Sequence, residues 1–294
     1  MTPVPAPSAR SRARLLARHG RVSPALVCPL VLVQAAEIEA LPQERFLTDA
    51  TKLANGLRAL RGAFGHDVIV TAAADDLAAA AAGDLAAAGA GSPAAAGDLT
   101  GRGAGSPAQQ AVQHPRVVAA VEATRRLAVT TDDAALAVAL CGPARLAAQL
   151  GRSPADQAAL ETCGAVLLTL AKAFLEAGAN LLLLVEAEPL PAASAGGWRS
   201  AATPLVNVAR FHQAAAAVVL ADLADAAIAP RGAVVCLPPP QAGPGQGIAL
   251  SPDPAAWRAP PAGVPLVTTL GPVRGGFAEC RAAVGMLTAA VAEV

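Results

Sequence analysis

The sequence predicts a (β/α)8 barrel of the TIM type, built around a parallel sheet, with one strand irregular or missing from the pattern. Runs rich in Val and Leu alternate with alanine-rich helical stretches, as in repeated βα units. The run at 181–185 is apolar without a break, which is typical of a strand buried on both faces of its sheet. With 294 residues, 54% of them hydrophobic, the chain can bury one large core. A single barrel therefore fits better than two small domains.

Seven strands and five helices can be placed in order along the chain. Because a closed barrel of this class has eight strands, we expect the eighth between residues 238 and 265, where Pro and Gly are dense. An open, doubly wound sheet is the alternative architecture. The predicted strands cover 28–35, 67–72, 136–143, 180–189, 233–240, 247–252 and 264–272, and the predicted helices cover 43–64, 117–128, 155–177, 204–226 and 277–294.

The predicted barrel domain covers residues 25–294. One segment before it and one segment inside it differ from the barrel in composition. Residues 1–24 are a basic N-terminal arm, because the first 21 residues carry five arginines and no acidic residue. Residues 83–110 are a low-complexity insertion in which GDLAAAGAGSPA recurs fourteen residues later as GDLTGRGAGSPA. Segments rich in Gly, Ala, Ser and Pro bury little apolar surface, so we expect a mobile insertion. It is either neutral expansion or a lid over the site.

Composition limits the partners and the compartment. Lys+Arg and Asp+Glu number 22 each, so the net charge is zero and no global field attracts nucleic acid. Five scattered cysteines without a CxxC pair indicate reduced thiols. The basic arm and the apolar run from Ala25 can be read as a secretory signal, but Pro29 interrupts the run. We therefore predict a cytoplasmic protein with a small-molecule substrate and no nucleic-acid or membrane partner; a homodimer is compatible with the sequence.

Two neighbouring stretches resemble a known superfamily. LCGPARLAAQLG at 140–151 and AKAFLEAGANLLLLVEAEP at 171–189 are similar to the middle of the uroporphyrinogen decarboxylase and corrinoid methyltransferase superfamily. In that superfamily a Gly-Pro turn follows the third strand, and a helix and an acidic strand end come next. The resemblance implies a barrel whose site lies at the carboxyl ends of the strands.

Polar residues at those strand ends are the candidate site residues. Asp75 or Asp76, after the second strand, matches the functional aspartate of the decarboxylase branch, and the local alignment permits either as the catalytic residue. Arg21, in RHGRVSP, matches a family segment that holds substrate carboxylates, and a guanidinium binds carboxylate bidentately. Strand ends also tolerate polar residues for structural reasons alone. The substrate-binding candidates are Arg21, Glu186, Glu188 and Cys236.

The methyltransferase branch binds zinc through an HxC pair and a later cysteine, and the metal activates a substrate thiol. The comparable positions here are Val234, Cys236 and Pro272, so one of those three ligands is present. Cys280 and His212 are the further donors available to complete a site. No dinucleotide-binding or phosphate-binding glycine motif follows a strand. The sequence therefore predicts neither a bound metal nor an organic cofactor.

Three functions compete on this basis. The first is a divergent lyase that decarboxylates a polycarboxylate such as a tetrapyrrole, although the decarboxylase branch's tyrosine has no counterpart in a chain without Tyr. The second is a methyltransferase with a cobalamin-linked or thiol substrate. The third is a non-catalytic binding member of the same fold, since fold does not determine function.

Overall fold

The computed structural model describes residues 7–75, 77, 78, 80 and 106–293. Asp76 and residues 83–105 of the predicted insertion therefore lie outside the described residues, and the predicted mobility of the insertion stays a prediction. In the described part of the chain, eight strands form one sheet. They are β1 (Leu26–Cys28), β2 (Val68–Ala72), β3 (Ala135–Cys141), β4 (Leu181–Glu186), β5 (Ala215–Leu220), β6 (Val234–Leu237), β7 (Gly247–Leu250) and β8 (Leu266–Thr269).

The strands follow one another around the sheet in the order β1-β8-β7-β6-β5-β4-β3-β2, and every neighbouring pair is parallel. The two end strands, β1 and β2, contact each other across a seam. The sheet is therefore a nearly closed (β/α)8 barrel, which confirms the predicted fold class. The doubly wound alternative is wrong, because that sheet reverses its strand order at a switch point and this one does not.

Helices connect the strands and pack around the sheet. Short 3-10 helices at Ala192–Ser194, Leu223–Ile228 and Pro254–Ala256 shape three of the connections. The α-helices that the structure describes with complete bounds are α1 (Ala9–His19), α2 (Leu32–Ile38), α3 (Gln43–Thr48), α4 (Ala50–Phe64), α5 (Pro107–Gln113), α6 (Pro115–Thr130), α7 (Pro143–Gln149), α8 (Gln157–Glu176), α9 (Ala195–Phe211) and α10 (Phe277–Ala292).

Asp67, the residue before β2, ties the two sides of the seam together. Its Oδ2 accepts a hydrogen bond of 3.1 Å from the backbone N–H of Val27 on β1, and its Oδ1 forms an ion pair with Arg12 of α1. Arg12 also donates to the carbonyl oxygens of Pro24 and Ala25. Helix α1, a part of the predicted basic arm, therefore packs against the amino-terminal end of the barrel.

Strand β4 is inaccessible to solvent on both faces, as its unbroken apolar run predicts. Residues 181–185 are all 0% exposed. Leu181 pairs with Ala137 of β3 and with Ala215 of β5, and both neighbouring strands are rich in alanine. Small side chains beside the leucines let the covering helices approach the sheet closely. The sheet core is thus built from Leu, Val and Ala rather than from aromatic residues.

The strand that the sequence pattern missed was expected between residues 238 and 265, and this expectation is wrong. Strand β5, at Ala215–Leu220, lies inside the helix predicted at 204–226, and the helix that does form there, α9, ends at Phe211. A short apolar run of Ala and Val fits a buried helix and a buried strand equally well, so periodicity alone cannot separate them. The first predicted strand, at 28–35, is also misplaced: it shares only Cys28 with β1, and α2 begins at Leu32.

Helix α8 is the one described helix that is long and apolar enough, by length and composition, to cross a membrane. It packs against α9, α7 and β3, and more than half of its apolar window is buried inside the protein. Those contacts are the ones that a core helix of a barrel makes.

Candidate functional site

The carboxyl ends of the parallel strands meet at one end of the barrel, which we call the mouth. Asp75 follows β2, Arg145 lies in the first turn of α7 after β3, and Glu186 is the last residue of β4. Gln34 lies on α2 after β1, and Arg274 follows β8. Loops and helix starts from different strands therefore bring charged and amide side chains together, as in other barrels of this class.

Glu186 is the most deeply buried acidic residue of the mouth, at 2% exposed. Its Oε1 accepts hydrogen bonds from the backbone N–H of Ala144 at 3.0 Å and from the indole Nε1 of Trp198 at 2.7 Å. Its Oε2 accepts one from the backbone N–H of Arg145, also at 3.0 Å. The carboxyl group therefore fastens β4 to the start of α7 and to α9.

Gly142 leaves the space that Glu186 occupies. A Cβ atom at this position would lie 2.0 Å from Glu186 Oε1, far inside van der Waals contact. The Gly-Pro pair of the CGPAR segment therefore has two separate tasks. Gly142 clears room for the carboxyl group, while Pro143 takes the first helical position of α7, where a backbone N–H is not needed.

Burial raises the pKa of Glu186 to about 7, while the hydrogen bonds from Trp198, Ala144 and Arg145 and the charge of Arg145 act in the lowering direction. Desolvation dominates because the carboxylate has lost its water shell. Glu186 can therefore hold or release a proton near neutral pH, which most carboxyl groups cannot do.

Arg145 forms an ion pair with Asp75 through its Nη2 atom. Its other terminal nitrogen, Nη1, is enclosed and has no hydrogen-bond partner among the described residues. A guanidinium carries five N–H donors, and enclosed donors are normally satisfied. Arg145 is therefore held in place by Asp75 at Nη2 and keeps an unsatisfied donor at Nη1.

A cavity of about 410 Å³, which we call the mouth cavity, opens beside this pair. Two arginines and one aspartate line it, so its charged groups sum to a positive value. Apolar residues from the β1 and β8 connections complete the walls. The lining includes Val33, Gln34, Asp75, Arg145, Leu270 and Arg274.

Gln34 is a buried amide in the wall of the mouth cavity. It is 1% exposed, and its Nε2 donates to the carbonyl oxygens of Val273 at 3.3 Å and Gly275 at 3.2 Å. Because both partners are acceptors, the orientation of the amide is defined. Its Oε1 has no partner among the described residues. The wall therefore also contains an unused acceptor.

A second cavity of about 360 Å³, which we call the side cavity, is also lined by Arg145. Arg145 and Ala187 line both cavities. Glu186 and Glu188 line only the side cavity, and Glu188 is exposed there. The remaining walls include Gln149, Leu190 and Pro191.

The structure brings some of the sequence-predicted site residues together and not others. Asp75, Glu186 and Glu188 surround Arg145 at the mouth. Arg21 is exposed and precedes β1 by five residues, on the amino-terminal side of the strands, so it is not brought to this site. Asp76 lies outside the described residues. Of the two candidate aspartates, the structure therefore describes Asp75, which contacts Arg145, and the choice between Asp75 and Asp76 stays a prediction.

Cys236 lies within β6, is 0% exposed and lines neither cavity. Its Sγ fills the space beside Gly247 on β7, where a Cβ atom would come within 2.4 Å of the sulfur. Burial raises the pKa of its thiol to about 12, so the thiol stays protonated at neutral pH. Cys236 is therefore packed in the core and is not accessible from either cavity.

The donor set does not fit the zinc site of the methyltransferase branch. Across the described residues, no three His, Cys, Asp or Glu side chains converge as a metal site would require. Cys236 is a buried neutral thiol, and the Sγ of Cys280 accepts from Gln34 Nε2 of α2 and donates to the carbonyl oxygen of Gly275. A zinc site needs three or four protein ligands.

Sequence reasoning missed Arg145, Arg274 and Gln34. The sequence does carry a pattern that marks the two arginines, because each is the last residue of a Gly-Pro-X-Arg segment close to the carboxyl end of a strand. The segments are 142–145 after β3 and 271–274 after β8. No local pattern marks Gln34, because an amide side chain in a largely apolar helix is most often buried for structural reasons alone.

These features define a (β/α)8 protein with two cavities at the carboxyl ends of its strands. A scan against protein-family models and a search of curated proteins matched nothing. Among solved structures, the chain is similar to a methyltransferase from Methanosarcina mazei, with a TM-score of 0.67 and 15% identity over 98% of this chain and 99% of that one. At this identity the likeness shows the fold, which is the fold that the sequence resemblance implies.

Proposed function

We propose that the protein binds a small molecule carrying carboxylate groups in the mouth cavity, with Arg145 as the principal carboxylate-binding residue. The observation that carries this proposal is the state of the Arg145 side chain. Arg145 lines the cavity; Asp75 holds its Nη2, and its enclosed Nη1 has no partner among the described residues. An unpaired enclosed donor is costly until an acceptor satisfies it, and a carboxylate is the acceptor that matches a guanidinium best.

Arg274 supports a ligand with more than one carboxylate. It is exposed and lines the same cavity as Arg145. Within the described part of the chain, its guanidinium makes no hydrogen bond or ion pair. Asp75 is already paired with Arg145, so the cavity offers a net positive charge to an anion.

The reaction we infer for this site is decarboxylation, and its support is the sequence resemblance to the decarboxylase branch. In that step the bond between carbon and the carboxylate breaks, CO2 leaves, and the electron pair that remains on carbon takes up a proton. Glu186 lines the side cavity and not the mouth cavity, so solvent supplies this proton, while Asp75 holds the arginine that orients the substrate.

The binding proposal is tested by calorimetric titration with tricarballylate, a flexible tricarboxylate. We expect the affinity to fall by at least about tenfold in Arg145→Met, because one charge-assisted contact is lost. Arg274→Met should weaken binding less, because this side chain is exposed. Arg21→Met is the matched control and should bind as the wild type does. Equal affinity in the wild type and Arg145→Met would overturn the proposal.

The reaction is tested separately by anaerobic incubation with uroporphyrinogen and mass analysis of the product. Loss of carboxyl groups that disappears in Arg145→Met supports decarboxylation, because the substrate then loses the contact that orients it. Binding of the substrate without loss of a carboxyl group would instead favour the non-catalytic member of the fold.

Methyl transfer is the second candidate, and the likeness over nearly the whole length of both chains to a methyltransferase is the observation that favours it. Metal analysis of dialysed, untagged protein tests the zinc-dependent form of this activity. About one zinc per chain, lost in Cys236→Ser, would move methyl transfer to first place. Binding too weak to survive dialysis is the result that the donor set predicts.

A further inference from the structure

The side cavity differs in charge from the mouth cavity, although the two share a wall. Glu186 and Glu188 contribute carboxyl groups to the side cavity, and Arg145 is the one cation among its described lining residues. The Nη2 atom of Arg145 is engaged by Asp75 on the side of the mouth cavity. The mouth cavity is therefore suited to an anionic group and the side cavity to a cationic or hydrogen-bond-donating group.

Glu186 has acceptor capacity left for such a group. A carboxylate can accept about four hydrogen bonds. Glu186 accepts two at Oε1, from Ala144 and Trp198, and one at Oε2, from Arg145. One acceptor position on Oε2 is unused by the described residues.

Glu188 provides a second carboxylate at the rim of the side cavity. It is exposed, and it makes no ion pair or hydrogen bond within the described part of the chain. One carboxylate at the rim and another deeper in the cavity can both accept hydrogen bonds from an ammonium group, because an ammonium group has three N–H donors.

We propose that the side cavity binds the amino group of the same ligand whose carboxylate lies on Arg145, so that the substrate is an aminocarboxylate that spans both cavities. This inference rests on the proposed carboxylate site and adds a second recognition element to it. The bound ammonium group donates to Glu188 and to the free position on Glu186 Oε2, while the carbon chain passes Ala187, which lines both cavities.

Trp198 offers a direct reporter for this site. The chain has two tryptophans, and the indole N–H of Trp198 donates to Glu186 whereas that of Trp257 donates to the carbonyl oxygen of Ser251. Two indole signals are therefore expected in a ¹⁵N-resolved spectrum, and Trp257→Phe assigns them. A group that binds to Glu186 should shift the Trp198 signal, because it changes the acceptor strength of the carboxyl group.

The experiment compares ω-aminoalkanoates from 4-aminobutanoate to 8-aminooctanoate with the unsubstituted alkanoates and the dicarboxylates of the same chain lengths. We expect one aminoalkanoate to bind about tenfold tighter than its alkanoate and to shift the Trp198 signal, since a charge-assisted contact is added. Glu188→Gln should remove most of that gain, whereas Glu176→Gln, an exposed residue at the end of α8, should preserve it.

The outcomes separate this inference from the proposal on which it rests. If alkanoates and dicarboxylates bind through Arg145 but no aminoalkanoate binds more tightly, the inference is wrong and the carboxylate site stands. If a dicarboxylate binds tightest and shifts the Trp198 signal, the side cavity takes a second anion instead, and the inference is also wrong. If no probe binds to the wild type, both proposals fail together.

Discussion

The indole Nε1 of Trp198 donates a 2.7 Å hydrogen bond to Oε1 of Glu186, and this contact joins helix α9 to the end of strand β4. Both residues are buried, and the same carboxyl group also receives two backbone N–H groups from the start of α7. Because Arg145 belongs to that first turn, Glu186 sets the position of the arginine that we place in the ligand site. The carboxyl group of Glu186 therefore connects β4 and α9 to the helix turn that carries Arg145.

Glu186→Gln should lower the free energy of unfolding by about 1–3 kcal/mol, because one of the three N–H donors then faces an amide N–H2 instead of an oxygen. Chemical denaturation of the wild type and the variant measures this difference. Glu176→Gln, at an exposed position, is the control and should differ from the wild type by less than about 0.5 kcal/mol. Equal effects of the two variants would contradict the buried hydrogen-bond network.

Two buried groups, Glu186 and His66, should make the free energy of unfolding change with pH in opposite directions. The pKa of Glu186 is raised from 4.5 to about 7, so its contribution to stability is complete below 4.5 and is lost as the pH rises through 7. Burial and the charge of Arg61 lower the pKa of His66 from 6.5 to about 3, so its contribution is complete above 6.5 and is lost as the pH falls towards 3. Between 4.5 and 6.5 the two slopes oppose each other.

Difference profiles between each variant and the wild type isolate these contributions. For Glu186→Gln, the deficit in the free energy of unfolding should be largest at pH 4.5 and should shrink as the pH approaches 8. For His66→Phe, the variant should gain stability relative to the wild type as the pH falls from 6.5 to 4.5. Differences that are independent of pH in both variants would show that neither group titrates as its burial requires.

Gly142→Ala should destabilise the protein, whereas Gly62→Ala should stabilise it slightly. The added methyl group at position 142 would meet Glu186 Oε1 at 2.0 Å, whereas position 62 is exposed on α4 with nothing within 4 Å. We expect a loss of about 3 kcal/mol at position 142 from overpacking and a gain of about 0.5–1 kcal/mol at position 62 from the better helix propensity of Ala. Thermal and denaturant unfolding measure both, and a neutral Gly142→Ala would contradict the close packing of Glu186.

Asp67→Asn should weaken the seam of the barrel. Arg12 is almost fully buried, so losing the charge of its partner should cost about 3 kcal/mol. The control is Asp133→Asn, which breaks a more exposed pair with Arg61 and should cost less than about 1 kcal/mol. A similar small loss in both variants would show that the seam is held mainly by apolar packing.

Much of the fold follows from apolar patterning, because buried parallel strands such as β4 carry an unbroken apolar run that few other elements share. Strand β5 escaped prediction for a physical reason. Its Ala and Val residues are small enough to suit a helix, and it follows α9 after only a short turn, so nothing in the local sequence marks the change from helix to strand.

The candidate site was predictable in part. Asp75, Glu186 and Glu188 could be placed because carboxyl ends of parallel strands converge in a barrel. Their partner Arg145 could not be inferred from spacing, since the ion pair with Asp75 joins residues seventy positions apart. Arg21 was assigned through resemblance, and helix α1 leads the chain to the opposite end of the barrel before β1 begins.

The central claim is that a carboxylate of the ligand lies on Arg145 at the barrel mouth. The most direct test is a crystal structure of the protein with tricarballylate. We predict a carboxylate group within hydrogen-bond distance, about 2.7–3.0 Å, of the Arg145 guanidinium, with a second carboxylate facing Arg274. A ligand bound on the amino-terminal side of the barrel next to Arg21, or a mouth cavity that holds only water at saturating tricarballylate, would contradict the claim.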